Sequence, residues 1–202
     1  MAEFTQISNT CLQAPVGYDK FSYAWRSRKG TVFNDSNGKH FCTGGYKQGD
    51  VLGFYIFLPD TPSIVDPKSK TKISDHMVST NKDLPLIKFK NYFYYEEKDE
   101  VQQALKNLKI LKGSKIVLYK NGVNRGVAFN DLYRGTYYPA VSIYKNATVR
   151  VNFGPTFRFP PKDLAFEPMS YRAEELVVEQ VMADMLFFIE NEGKLTLDAR
   201  QD

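Results

Sequence analysis

Residues Ile116 to Phe129 read IVLYKNGVNRGVAF, two β-branched and aromatic runs separated by Asn121-Gly122 and Arg125-Gly126. Asn-Gly is the strongest short-range hairpin signal, because both central residues of the favoured turn need a positive φ. An antiparallel hairpin is therefore expected here, and the same pattern recurs on both sides. Downstream, Tyr137 to Tyr144 and Thr148 to Phe153 read as a second pair around Lys145-Asn146. Val149, Val151 and Phe153 would take one face, and Thr148, Arg150 and Asn152 the other. Upstream, DVLGFYIFLP from Asp50, bracketed by Gly49 and Pro59, predicts a strand buried on both faces. Leu86 to Phe89 and Tyr92 to Tyr95, split by Lys90 and Asn91, add two more. Many short strands with regular turn signals predict an antiparallel sandwich.

Two stretches break this period. From Asp99 to Leu111, Val101, Leu105, Leu108 and Leu111 recur every three or four residues, which predicts a short amphipathic helix stopped by Gly113. Pro155, Pro160, Pro161 and Pro168 make a stiff passage that cannot continue a ladder and reads as a boundary. Beyond it Ser170 is placed to cap a helix, Glu174 and Glu175 suit its positive end, and Gly193 ends the pattern. This helix would run for roughly 20 residues, about 30 Å. Its apolar stripe either folds back on the sheets or enters a partner's groove, and Phe187 and Phe188 widen it beyond what one neighbour would cover. No repeat of solenoid or propeller period is present.

The chain has 202 residues, a net charge of +4 and two cysteines, Cys11 and Cys42. That length supports one good-sized core, and the thiols are expected to be free. The opening lacks a basic and apolar leader, and the longest apolar run, Val51 to Leu58, is too short to span a bilayer, so a soluble intracellular protein is expected. Asp60 to Asp83, with Lys68, Lys70, Lys72 and Lys82, reads as a long basic surface insertion. Catalysis finds little support: only His40 and His76 titrate near neutrality, and with Cys11 and Cys42 they lack paired metal-ligand spacing. No metal and no cofactor is expected.

One further stretch carries recognition chemistry. In Gln13 to Gly30, QAPVGYDKFSYAWRSRKG, the residues Phe21, Tyr23 and Trp25 fall at period two, and Arg26, Arg28 and Lys29 follow with no acid between them. Aromatic surface beside guanidinium groups suits an acidic peptide or a phosphate chain. A half-buried strand ending in a solvated basic turn is the plainer reading.

The segments GDVLGFYIFLP, LYKNGVNRGVAF and YYPAVSIYKNATVRVNFGP resemble the core of the SPRY domain, a bent antiparallel β-sandwich used for protein recognition. QAPVGYDKFSYAWRSRKG, GKHF with GYKQGDVLGFYI, the EEKD after Tyr95 and FPPKDLAFEPMS are similar to the SPRY domain of one trithorax-group family, the absent, small or homeotic discs 2 proteins. The likeness runs from about Leu12 to Ile189. It implies a mostly β fold with a C-terminal amphipathic helix, in a nuclear, non-catalytic subunit of SET-domain histone H3 lysine-4 methyltransferase complexes. It further implies that Pro15, Tyr18 and Arg26 hold an acidic segment of a retinoblastoma-binding protein 5 homologue. By the same resemblance Val178, Val181, Met182, Met185, Leu186 and Ile189 bind the dumpy-30 dimer. Arg28, Lys29, Lys68, Lys70 and Lys72 become candidate contacts to nucleosomal DNA. A generic SPRY recognition module, such as a ubiquitin-ligase substrate adaptor, is the alternative.

The family's SPRY domain begins upstream of this sequence, with strands that carry two further pocket residues. The expected division is a short non-family start at 1–11, a partial SPRY domain at 12–168 with the insertion at about 60–83, a partner-binding helix at 169–192 and a tail at 193–202. A short isoform, a fragment or an incomplete gene model is expected on that ground. So is dependence on a partner, since an incomplete sheet exposes edges and apolar surface.

Overall fold

The computed structural model describes residues 2–5, 14–59, 86–90, 92–95 and 101–190. The backbone divides into two compact units, one of Met1–Thr61, Asp99–Asn152 and Thr156–Phe166, the other of Pro62–Lys98, Phe153–Pro155 and Glu167–Asp202.

The first unit is built on two antiparallel sheets. One has the order β10-β1-β2-β3-β4, from β1 (Ala2–Thr5), β2 (Ser22–Arg26), β3 (Thr31–Asn34), β4 (Asn37–His40) and β10 (Tyr138–Val141). The other has the order β5-β8-β9, from β5 (Leu52–Phe57), β8 (Lys115–Lys120) and β9 (Val123–Asn130). A short helix, α1 (Val101–Asn107), precedes β8; it forms where the period shifts but ends before Leu108 and Leu111, well short of Gly113, and none of its residues is buried. Tyr23, Trp25 and Val32 of the first sheet meet Ile116 and Leu118 of the second in one buried cluster completed by Leu132 and Tyr137. Trp25 is its hub, with edge-on contacts to Tyr46 at 5.1 Å, Phe54 at 6.2 Å and Phe41 at 6.3 Å.

The hairpin around Asn121-Gly122 forms as expected, with φ values of 52° and 79° at the two turn residues. β8 is buried on both faces, whereas β5 differs from expectation. Its residues are half-buried rather than enclosed, because β5 is an outer strand with β8 as its single described neighbour. The pair expected around Lys145-Asn146 does not form either. β10 instead ladders with β1, from Ala2 opposite Val141 to Thr5 opposite Tyr138. Thr148 to Phe153 keeps its apolar alternation, but no described strand lies beside it, and Val149, Val151 and Phe153 remain exposed.

The proline passage does more than mark a boundary. Tyr119 Oη donates to Asp163 Oδ1 at 3.0 Å, Asn124 Nδ2 donates to Asp163 Oδ2, and Phe159 lies against Gly122. Burial, with the Asp163 carboxylate beside it, pushes the Tyr119 hydroxyl up to about 12. The passage from Thr156 to Phe166 is thereby tied to β8 and β9.

A second polar knot lies at the same turn end of the hairpin. Lys120 Nζ lies 3.0 Å from Asp50 Oδ2 and donates to Gly45 O, while Asn121 and the Lys47 N–H both donate to the Asp50 carboxylate. Those two hydrogen bonds and Lys120 hold the Asp50 carboxyl down at about 2, from an ordinary value of 3.8. A depressed carboxyl stabilises the fold above its unfolded pKa and loses that contribution as pH falls through the folded one. Melting temperature measured against pH should therefore drop between about pH 4 and pH 2, and Asp50→Asn should make that drop shallower.

In the second unit, β6 (Leu86–Phe89) and β7 (Tyr92–Tyr95) form the expected hairpin, with Lys90 at φ 56° in its turn. Helix α2 runs from Met169 to Glu190, 22 residues. Its start departs from the capping expectation. Ser170 sits inside the first turn, where its N–H donates to Phe153 O at 3.0 Å and its buried hydroxyl has no partner among the described residues, while the Tyr171 N–H is taken by Pro168 O. Backbone carbonyls thus satisfy donors that a serine cap would have served. Glu175 lies in the second turn and pairs with Arg172 at 3.0 Å, and the same guanidinium forks Glu179 at 2.8 and 3.2 Å. The end expected at Gly193 lies outside the described residues.

Candidate binding surface

β2 carries its two sets of side chains to two different environments. Tyr23 and Trp25 enter the core, while Ser22, Ala24 and Arg26 point to the opposite face of the sheet. Ser22 and Ala24 are nevertheless buried, at 4% and 1% exposure, because the turn from Pro15 to Tyr18 lies on them. Gly17 makes that approach feasible. At φ +90° a Cβ there would stand 2.7 Å from Ala24 Cβ and 2.8 Å from Phe33 Cβ, so any side chain would lift the turn off the sheet.

Hydrogen bonds pin the turn from several sides. Tyr18 N donates to Pro15 O at 3.2 Å, Gly17 N to Ser22 Oγ at 2.8 Å and Val16 N to Ser142 Oγ at 3.1 Å. Ser36 donates twice, through its N–H to Gly17 O at 3.0 Å and its hydroxyl to Tyr18 O at 2.7 Å. Asp19 Oδ1 accepts from both Phe21 N and Ser22 Oγ. Pro15 and Tyr18 are left exposed on a fixed backbone, the tyrosine by 54%.

Arg26 is held by an aromatic platform that sequence reasoning did not identify. Its Cζ lies 5.8 Å from the centroid of Phe33, its diagonal neighbour on β3. Phe33 in turn packs against Gly38, directly opposite on β4, where a Cβ would stand 2.7 Å from Phe33 Cε1. The side chain thus touches both halves of the surface: its Cβ meets Gly17 of the pinned turn, and its ring meets the guanidinium. The sequence signal was the spacing of Phe33 and Gly38, and it becomes legible only once the hairpin register is known.

The basic run that follows behaves differently. Arg28 and Lys29 are exposed in the turn between β2 and β3, while Lys68, Lys70 and Lys72 lie outside the described residues. Among the described residues no cluster of three metal-ligating side chains occurs, and no helix is long and apolar enough to cross a membrane. On α2, Val178, Val181, Met182, Met185 and Ile189 are 50–67% exposed, and Leu186 is half-buried.

The fold and this surface define a β-rich protein whose described chemistry is cationic and aromatic. Nearly the whole chain is homologous to one region of the ASH2 proteins. It is 51% identical over 189 residues to the Set1/Ash2 histone methyltransferase complex subunit ASH2 of Drosophila melanogaster, covering 93% of this chain and 32% of that protein. It is 39% identical over 188 residues to the corresponding subunit ash-2 of Caenorhabditis elegans, with the same coverage. It is 29% identical over 229 residues to the Set1 complex component ash2 of Schizosaccharomyces pombe, covering 95% of this chain and 34% of that protein. The chain therefore spans about a third of the length of the relatives it matches. No family model matches it.

Proposed function

We propose that the chain acts in the nucleus as a non-catalytic subunit of a Set1/Ash2-type histone H3 lysine-4 methyltransferase complex. Its two packed sheets are the SPRY-type sandwich in this reading. Arg26, Pro15 and Tyr18 receive an acidic segment of the retinoblastoma-binding protein 5 homologue, α2 seats its apolar stripe on the dumpy-30 dimer, and the assembly supports the SET-domain methyltransferase. Arg28 and Lys29 face nucleosomal DNA, together with Lys68, Lys70 and Lys72 of the insertion.

The observation that supports this best is the guanidinium of Arg26 lying over Phe33 beside the pinned Pro15–Tyr18 turn. A guanidinium can fork a carboxylate, and the aromatic and proline walls exclude water from the pair. Calorimetry with the acidic peptide of the retinoblastoma-binding partner should show binding that Arg26→Ala weakens by about 2–5 kcal/mol, the usual cost of truncating one partner of a desolvated charge pair. Equal binding by the variant would remove the assignment.

A further inference from the structure

Among the described strands β4 is the last of its sheet, and all four of its residues are exposed. Its closing turn determines which backbone groups look outward. Asp35 and Ser36 have φ values of 53° and 59°, and Asn34 pairs with Asn37, so this is a two-residue hairpin whose closing pair is hydrogen-bonded. Bonded and non-bonded pairs alternate along an antiparallel ladder. Val32 with Lys39 is then the next bonded pair, while Phe33 with Gly38 and Thr31 with His40 are non-bonded. The N–H and C=O groups of Gly38 and His40 consequently face the open edge of the sheet.

Side chains of a strand added at that edge would alternate between the two faces of the hairpin. On the outer face they approach Arg26, whose guanidinium lies 5.8 Å from the centroid of the Phe33 ring that packs against Gly38. On the inner face they meet Lys39, which lines a cleft of about 400 Å³ with Val32, Asn37 and Phe129. Asp35 also lines this cleft, at its turn end, so a carboxylate is favoured at the Lys39 end. The geometry points to strand addition on β4 by the acidic segment, with successive carboxylates reaching Arg26 on one face and Lys39 on the other. This rests on the reading of the Arg26 site given above and adds its binding mode. It accounts for recognition of an acidic run where a single carboxylate would satisfy Arg26 alone.

The test uses the full chain and the same acidic peptide, with Arg26→Ala, Lys39→Glu, His40→Pro and His40→Ala. Proline at 40 removes an outward N–H that the ladder to β3 does not use, which edge strands tolerate. Lys39→Glu and His40→Pro should each weaken binding by about tenfold or more. His40→Ala keeps that N–H and should lose much less than His40→Pro, and amide exchange at Gly38 and His40 should slow in the complex. Native-like binding by Lys39→Glu and His40→Pro, with loss in Arg26→Ala, would mean that the peptide lies on the outer face and that strand addition is wrong. Native-like binding by Arg26→Ala as well would overturn the site itself. If His40→Pro unfolds, exchange in the native chain decides: slowing at Gly38 and His40 supports strand addition, and unchanged exchange overturns it.

Discussion

Trp25→Ala should cost about 3–5 kcal/mol, the range for emptying a buried aromatic site, and a domain of this kind has only about 5–15 kcal/mol to lose. The side chain is 1% exposed and stands between Phe41, Tyr46 and Phe54 in edge-on contacts. Removing it opens a void that both sheets line, and the strand that loses its anchor also carries Arg26. Denaturant unfolding followed by circular dichroism should show the loss as a lower midpoint. Trp25→Phe separates volume from chemistry. The indole Nε1 is buried without a hydrogen-bond partner among the described residues, so phenylalanine removes a desolvated donor along with some volume and should cost much less. Equal damage by both variants would show that the indole itself, and not the volume a ring fills, governs the site.

On the proposed docking of α2, Met185→Glu should abolish association with the dumpy-30 dimer while leaving the helix formed. Met185 is 59% exposed, glutamate is a good helix former, and the Arg172–Glu179 fork lies elsewhere on α2. The free chain therefore has little reason to unfold. The bound state would have to bury an unpaired carboxylate in an apolar contact, and such groups are excluded at a cost of several kcal/mol. Met185→Leu should bind almost as the native chain does, because it conserves volume and character. Size-exclusion chromatography of the mixed proteins reads both outcomes, and co-elution of Met185→Glu would count against the stripe as the docking face.

Much of the β architecture was legible from local chemistry. Asn121-Gly122 announced its turn because few other pairs accept two positive φ values, and Tyr92 to Tyr95 announced a strand through composition. Other elements gave no such sign. β4 is NGKH, with no apolar residue and no buried position, and its true turn is Asp35-Ser36 rather than the more conspicuous Asn37-Gly38. β1 occupies the second place in its sheet although the first ten residues read as a polar start. In the other direction, Thr148 to Phe153 alternates as a strand should, yet alternation needs a neighbouring backbone and none of the described strands supplies one. The candidate site divides in the same way. Arg26, Pro15 and Tyr18 came from a resemblance, while Phe33, which joins them, depends on a cross-strand contact that composition cannot disclose.

The Phe33 ring over Gly38 also constrains how this surface can change through descent. A side chain at 38 collides with the ring, at 2.7 Å for the first carbon alone, and a smaller residue at 33 relieves that collision only by taking the support from beneath Arg26. At 38 any side chain must displace the ring, and at 33 only another aromatic such as tyrosine keeps a platform beneath the guanidinium. The two positions are therefore expected to drift together or stay put, so that the ligand preference of the surface is protected by a pair of residues that need not touch the ligand.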